Sequence, residues 1–321
     1  MIVAVAVAGF GLLALPTLLR PIGRRLPPSW WAKLCAAALL AGFAVVIGAG
    51  VISSLPTALW ITGLPRAAHA CEAMFGLAFS IGSPFALLTM ATTLSITVLG
   101  ARALWRFRQM SRHSWVESVV GKRLPRSAQF EVVVLESPLA RALSVPGSAD
   151  RPGQVLLTTG LVDALPPEEL DLVFAHEEAH LALGHHRYLA LAAMIEGSMW
   201  GWPPAKASTR ALRLALERWA DEIAAGDSVE FRSRLASALV AVAVDAHRPV
   251  LAAFSALEGL VERLAAMREP SGTRVPVLWW PVLLVPGVVF GAVSLYALAR
   301  LGGSAYCVVS MPTGCHLLQH L

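Results

Sequence analysis

The sequence predicts an α-helical membrane protein with four transmembrane helices and an α+β domain inserted between the third and fourth, built from a small sheet and two metal-binding helices. Three observations carry this. Hydrophobic residues make up 56% of the 321 residues and charged residues only 15%, against roughly 25% charged in soluble domains. Four stretches carry no charge and meet the ~20-residue spanning length. Between the third and the fourth, roughly Arg102 to Arg274, charge and polarity return, and there lies the run His176-Glu177-Glu178-Ala179-His180.

The first uncharged stretch, Met1 to Leu19, has no basic start and no clear small-residue cleavage site, so it reads as a retained helix rather than a signal peptide. Arg20, Arg24, Arg25 and Lys33 separate it from Leu34 to Pro65, where the second span takes about residues 34–55. The next loop holds only Arg66, His69 and Glu72, and the third span covers about 73–101. Behind it Arg102, Arg106, Arg108, Arg112, Lys122, Arg123 and Arg126 form a basic collar. Basic residues stay cytoplasmic in short loops. The expected organisation is therefore a three-helix membrane unit at 1–104 with the N-terminus outside, a cytoplasmic domain at 105–274, a fourth span at 275–299 and an external tail at 300–321, in a multi-pass plasma-membrane protein. Most of the net charge of +5 belongs to the collar. Its place beside the spans, with no recognition motif, argues against direct nucleic-acid binding. No charge lies inside the spans to line a pore, which argues against transport.

Within the inserted domain, Phe130 to Leu135 and Val155 to Thr159 are short β-branched runs, with Ala142 to Val145 a third strand between them. Gln154 to Thr159 is expected at a sheet edge, where it either takes an extended peptide as an added strand or simply completes the sheet. Tyr188 to Trp202, apolar except for Glu196, is too short for a span and ends in tryptophans that suit a membrane interface. Cys35 falls in the second span, while Cys71, Cys307 and Cys315 are expected outside, where disulfides persist. A Cys307–Cys315 loop competes with a bridge from Cys71. Neither a phosphate loop nor a Gly-x-Ser-x-Gly elbow is present.

The His-Glu-x-x-His run lies on a helix started by Pro166-Pro167-Glu168-Glu169 and ended by Gly184. Residues four apart share a helix face, so His176 and His180 reach one metal ion while Glu177 projects toward a water. With 9 histidines in the chain, chance supplies about 0.01 such matches. Zinc needs a third protein ligand. A second helix, Arg210 to Ala225, capped by Ser208 or Thr209, offers Glu217, with Asp221 one turn on to accept the N–H of a ligand histidine and fix its tautomer. His185 and His186 are neighbours that do not face one point, so a second metal is set aside.

These residues resemble the gluzincin membrane metallopeptidases, first the BlaR1/MecR1-like antirepressor peptidases and second the HtpX/Ste24-like peptidases. The resemblance runs over Ala142-Leu143-Ser144-Val145-Pro146-Gly147, Gln154 to Leu161, His176 to His186 and Glu217 to Asp221. It departs at Glu178, where the motif is commonly apolar, and no sensor domain is expected. It implies one Zn2+ held by His176, His180 and Glu217, with Glu177 as general base for peptide-bond hydrolysis. Arg213, Tyr188 and Thr158 are candidates for oxyanion or substrate contacts, with Arg210 and His185 behind them. The expected partners are the bilayer and a protein substrate, a transcriptional repressor in regulatory signalling or a membrane protein under quality control. Self-association is left open. A non-catalytic zinc-bearing scaffold would not need Glu177, whose presence counts against it.

The basic loops make the topology testable. A reporter fused near Lys122 is expected to behave as cytoplasmic and one fused after Cys315 as external; the opposite pattern inverts the topology.

Overall fold

The computed structural model describes residues 2–75, 81–118, 122–124, 130–147, 152–245 and 250–268. These fall into two compact units, one holding residues 1–15 and 37–99 and the other residues 16–36 and 100–268, with boundaries inside helices.

The opening helices are α1 (Ile2–Leu18), a single turn α2 (Arg20–Gly23), α3 (Pro28–Ile61), α4 (Pro65–Phe75) and α5 (Pro84–Ser118). Among the described residues two stretches, Pro28–Ile61 and Pro84–Met110, are long and apolar enough to cross a membrane, while Ile2–Leu18 is a shorter apolar helix. In the first unit α1 and α3 approach closely at glycines: a Cβ on Gly42 would stand 2.8 Å from the Gly9 carbonyl oxygen. Small residues at such a crossing let backbones pack where lipid offers no hydrophobic drive. The hydroxyls of Thr89, Thr92, Thr93, Ser95 and Thr97 on α5 bond carbonyls one turn back, so they cost little in an apolar setting.

The apolar helix expected from residue 73 begins later. Residues 65–75 form the separate helix α4, and α5 restarts at Pro84 after Gly82 in the left-handed region (φ 73°). Ser83 accepts the Ala86 N–H, so Ser83-Pro84 is a cap and first-turn proline that hydropathy alone hides. The expected span at 275–299 and the tail with Cys307 and Cys315 lie outside the described residues.

The second unit holds a four-stranded sheet of β1 (Lys122–Leu124), β2 (Glu131–Leu135), β3 (Ala142–Val145) and β4 (Gln154–Thr158) in the order β1-β2-β4-β3. β2 and β4 run parallel, with Val133 opposite Leu156, and the other pairs are antiparallel. The strand expected at an edge, β4, is therefore central, buried along its whole length. β3 is the edge strand instead. The order follows from the connections: a parallel β2–β4 pair needs a long crossover, and β3 fills it by folding back antiparallel. β1, of three residues, was not expected.

Six helices follow: α6 (Thr159–Ala164), α7 (Pro167–Ala182), α8 (His185–Ser198), α9 (Pro203–Ala225), α10 (Val229–Asp245) and α11 (Val250–Arg268). α7 starts where the two prolines and two glutamates predict and stops at Leu183-Gly184, with Gly184 at φ 65°. Its Leu170, Val173 and Phe174 close one core with Val132, Val155 and Leu157 of the sheet, Leu161, Leu165 and Ala238. Each large side chain buried there contributes roughly 1.5–3 kcal/mol. α9 begins at Pro203, earlier than the cap expected at Ser208 or Thr209. Both hydroxyls are buried inside the helix and bond outward, Ser208 with Thr17 at 2.8 Å and Thr209 to Glu196 at 2.6 Å. The segment expected at a membrane interface forms α8, whose Ala192 and Ile195 are buried, and Trp200 stands exposed in the turn after it.

Gly160, just past β4, donates its N–H to Ser137 at 2.9 Å, and a Cβ there would run into the Pro138 carbonyl. Gly160→Ala is expected to cost about 1–3 kcal/mol in an unfolding measurement. Gly11→Ala, with open space beside it, is expected to cost less; equal losses would show that the 137–139 turn is not packed tightly.

Candidate metal centre

Three helices build the site. α7 carries His176, Glu177 and His180, α9 carries Glu217 and Asp221, and α11 carries Arg263. The 3.6-residue period puts His176 and His180 on one face of α7 and Glu217 and Asp221 on one face of α9. The apolar packing that binds α7 to the sheet leaves those faces toward each other.

Nε2 of His176 and Nε2 of His180 lie 3.1 Å apart, and the Glu217 carboxylate oxygens lie 3.5 Å from the first and 3.6 Å from the second. Four ligands at ~2.0–2.1 Å around a tetrahedral ion stand about 3.3 Å from one another; the two Nε2 atoms are close to that spacing, and the carboxylate turns one oxygen to each ring, Oε2 to His176 and Oε1 to His180. Their ligand atoms all lie within 4.8 Å. Both imidazoles are buried, while Glu217 keeps 37% of its side chain exposed and marks the open side. Glu177, Glu217 and Asp221 outnumber Arg263 and a cationic His176, and a divalent cation displacing the His176 proton would offset that excess.

Asp221, 6% exposed, lies 3.0 Å from Nδ1 of His176. Seated behind Nδ1, it turns Nε2 of His176 toward His180 and Glu217. Sequence reasoning missed what sits behind the carboxylates. Arg263 donates Nε and Nη2 to the two oxygens of Asp221 at 2.8 and 2.6 Å, and its Nη1 lies 2.9 Å from Glu217. A planar guanidinium suits this bidentate grip. Nothing in the spacing of the sequence marks Arg263, more than forty residues from its partners.

Burial disfavours charge on His176, yet Asp221 and Glu217 outweigh it and hold its pKa up at about 10. His180 moves the other way, because burial pushes it down and Glu217 offsets only part. Burial would also raise Glu217 and Asp221, but Arg263 and then His176 hold both below the usual carboxylate range. Arg263 itself is held above its ordinary value despite burial, by Asp221 and Glu217.

His185, set aside above as a second-metal ligand and kept among the oxyanion candidates, is fully buried against a site histidine instead. Its Nδ1 lies 2.9 Å from Nδ1 of His180. Burial, reinforced by His180, pushes its pKa down to about 3. With the shared proton on Nδ1 of His180, Nε2 of His180 presents its lone pair to the cluster. Its spacing of five from His180 is the signal that could have found it. The ring rests against Trp219 at 5.1 Å and faces Tyr188 at 6.4 Å. Tyr188 thus lies beside the site without a bond into it. Arg213 bonds Glu196 at 3.2 Å, and Thr158 is buried in β4, giving its hydroxyl proton to the Leu139 carbonyl and accepting the Arg141 N–H. Thr158 is therefore tied to the turn before it rather than open to a substrate.

Residues 107–202 match Peptidase family M48, a segment that takes in the whole of α7 but ends before Glu217. The chain is similar to proteins named Protease HtpX from Escherichia coli O1:K1 / APEC, Escherichia coli O139:H28 (strain E24377A / ETEC) and Shigella boydii serotype 18 (strain CDC 3083-94 / BS512). Each is 26% identical over 148 residues, 46% of this chain and 48% of the relative. The chain spans about half the length of the curated relatives it matches. No solved structure matches. The similarity supports a membrane metallopeptidase and falls on the HtpX/Ste24-like side of the two resemblances rather than the BlaR1/MecR1-like side.

Removing one partner of a buried ion pair leaves a stranded charge, which costs about 3–5 kcal/mol. Arg263→Met is expected to destabilise the protein by that amount, and adding Asp221→Asn to recover part of it, read from denaturant unfolding of the four members of the cycle. Strict additivity would mean the pair is not coupled.

Proposed function

We propose that this chain is a membrane-integrated zinc metalloendopeptidase. The observation that carries it is the cluster of His176, His180 and Glu217, one ligand atom from each within 4.8 Å of the others, beside an α7 that also bears Glu177. His176, His180 and Glu217 would hold Zn2+, and Asp221 would position His176. When bound, Zn2+ supplies a Lewis acid that makes water nucleophilic near neutral pH and polarises a peptide carbonyl. Glu177, half-buried next to His176, takes the proton from the attacking water and delivers it to the leaving amine. Arg263 keeps Glu217 and Asp221 ionised. The edge strand β3 packs against α7, so a substrate added along it in extended form would run toward the histidines.

The catalytic unit, residues 105–274, is assigned to the cytoplasm, with the N-terminus and the C-terminal tail outside and four spans in the plasma membrane. Its substrates are cytoplasmic or membrane-associated proteins. The likeness to proteins named Protease HtpX favours protein turnover at the membrane over cleavage of a repressor. A zinc-bearing scaffold without catalysis is disfavoured by Glu177.

Glu177→Gln is expected to keep one zinc per chain while proteolysis of an unfolded protein falls about 10²- to 10⁴-fold. His176→Ala, His180→Ala and Glu217→Ala are each expected to lose most of the zinc, and Asp221→Ala to weaken binding about 10- to 100-fold. Full activity in Glu177→Gln, or full zinc in Glu217→Ala by metal analysis, contradicts the assignment.

A further inference from the structure

Two side-chain relays run from the metal centre to the connection between α1 and α3. On one side Glu262, adjacent to Arg263 on α11, is gripped at a single carboxylate oxygen by both Arg20 and Arg24. Glu262 is only 14% exposed, so this is not an ordinary surface pair. Arg24 is engaged a second time, because its carbonyl accepts the Nη2 of the buried Arg218 at 3.3 Å, and Arg218 follows Glu217 on α9. On the other side Lys33 sits over the Trp219 ring, 5.3 Å from its centroid, Trp219 rests on His185, and His185 meets His180. Arg20, Arg24 and Lys33 flank or begin the long apolar α3, and all these groups lie in one compact unit.

We propose that the connection from Arg20 to Lys33 is a positioning wall of the metal centre: Arg20 and Arg24 act through Glu262 to seat Arg263 on Glu217 and Asp221, and Lys33 acts through Trp219 to seat His185 on His180. This rests on the metal assignment made above and adds to it a source of regulation. α11 also packs on α9 and α10, with Met267 against Leu172, Ala225 and Leu235, and the grip on Glu262 adds a polar hold one residue from Arg263. With Glu262 held, Arg263 faces the carboxylates of α9; with Glu262 released, the guanidinium loses its register and Glu217 its orientation. Metal loading is thereby conditional on the seating of a segment that leads directly into an apolar helix, so that the chain becomes competent as that helix takes its place. Arg20, Arg24 and Lys33, which hydropathy reads only as topology signals, have this second role.

The test uses the full-length protein in detergent micelles, with zinc affinity measured by competition against a chromophoric chelator. Glu262→Gln and the double variant Arg20→Gln/Arg24→Gln are each expected to weaken zinc binding about 10- to 100-fold, as loss of an outer partner does. Combining them is expected to weaken it no further, since both break one relay. Reversing the charges together, Glu262→Arg with Arg20→Glu/Arg24→Glu, is expected to restore part of the affinity, which a generally damaged fold would not do. Lys33→Gln is expected to lose a few-fold through the second relay, given the modest strength of an exposed cation–π contact. Glu230→Gln, which breaks the exposed pair with Arg234, is expected to change nothing. Parental affinity in both Glu262→Gln and Arg20→Gln/Arg24→Gln, fully additive losses, or an equal loss in Glu230→Gln overturns the proposal. His176→Ala separates the two levels: loss of zinc there with parental affinity in the wall variants refutes the wall alone, and retention of zinc refutes the metal assignment and the wall with it.

Discussion

Two carboxylates side by side on α9, Asp221 buried and Glu217 half-buried, are the constraint around which the second unit is arranged. Positive partners hold both ionised, and the chain supplies them from two other helices, His176 from α7 and Arg263 from α11. Charged groups removed from water repel or attract far more strongly than on a surface, so this charge cluster holds the three helices in register. Apolar packing brings α7, α9 and the sheet together, and the charge cluster decides how they are rotated.

That division of labour explains the geometry of the site. The sheet, with β4 at its centre, gives α7 a flat apolar bed through Val132, Val155 and Leu157. His176 and His180 then fall on the face away from the sheet, where α9 crosses. Buried neighbours orient the rings: Asp221 lies behind Nδ1 of His176 and His185 behind Nδ1 of His180, so both Nε2 atoms point inward, 3.1 Å apart, where they share a proton or would share a cation. An isolated helix with the same five residues would present two freely rotating rings and no such focus.

Much of this was legible in the sequence. The metal helix, its proline start and its glycine stop were written in local signals that survive folding, and the two carboxylates one turn apart on α9 were found by spacing. What was not legible depended on long-range partners. The central place of β4 comes from a parallel pairing with β2 that no local run of residues records. Ser208 and Thr209 read as caps because hydroxyls favour helix starts, yet here tertiary bonds to Thr17 and Glu196 claim them. Arg263 lies on a helix whose pattern is ordinary, and only its contacts with Glu217 and Asp221 single it out. The break between α4 and α5 was hidden by hydropathy, although Gly82-Ser83-Pro84 carried the signal for it.

The central claim is that His176, His180 and Glu217 share one zinc ion, and the most direct measurement is X-ray absorption at the zinc edge on the loaded full-length protein. The account predicts a first shell of nitrogen and oxygen at ~2.0–2.1 Å, with the outer scattering of two imidazoles and none from sulfur. It also predicts that His180→Ala loses one imidazole or the metal altogether. A sulfur shell near ~2.3 Å, or an imidazole count unchanged by His180→Ala, would contradict it.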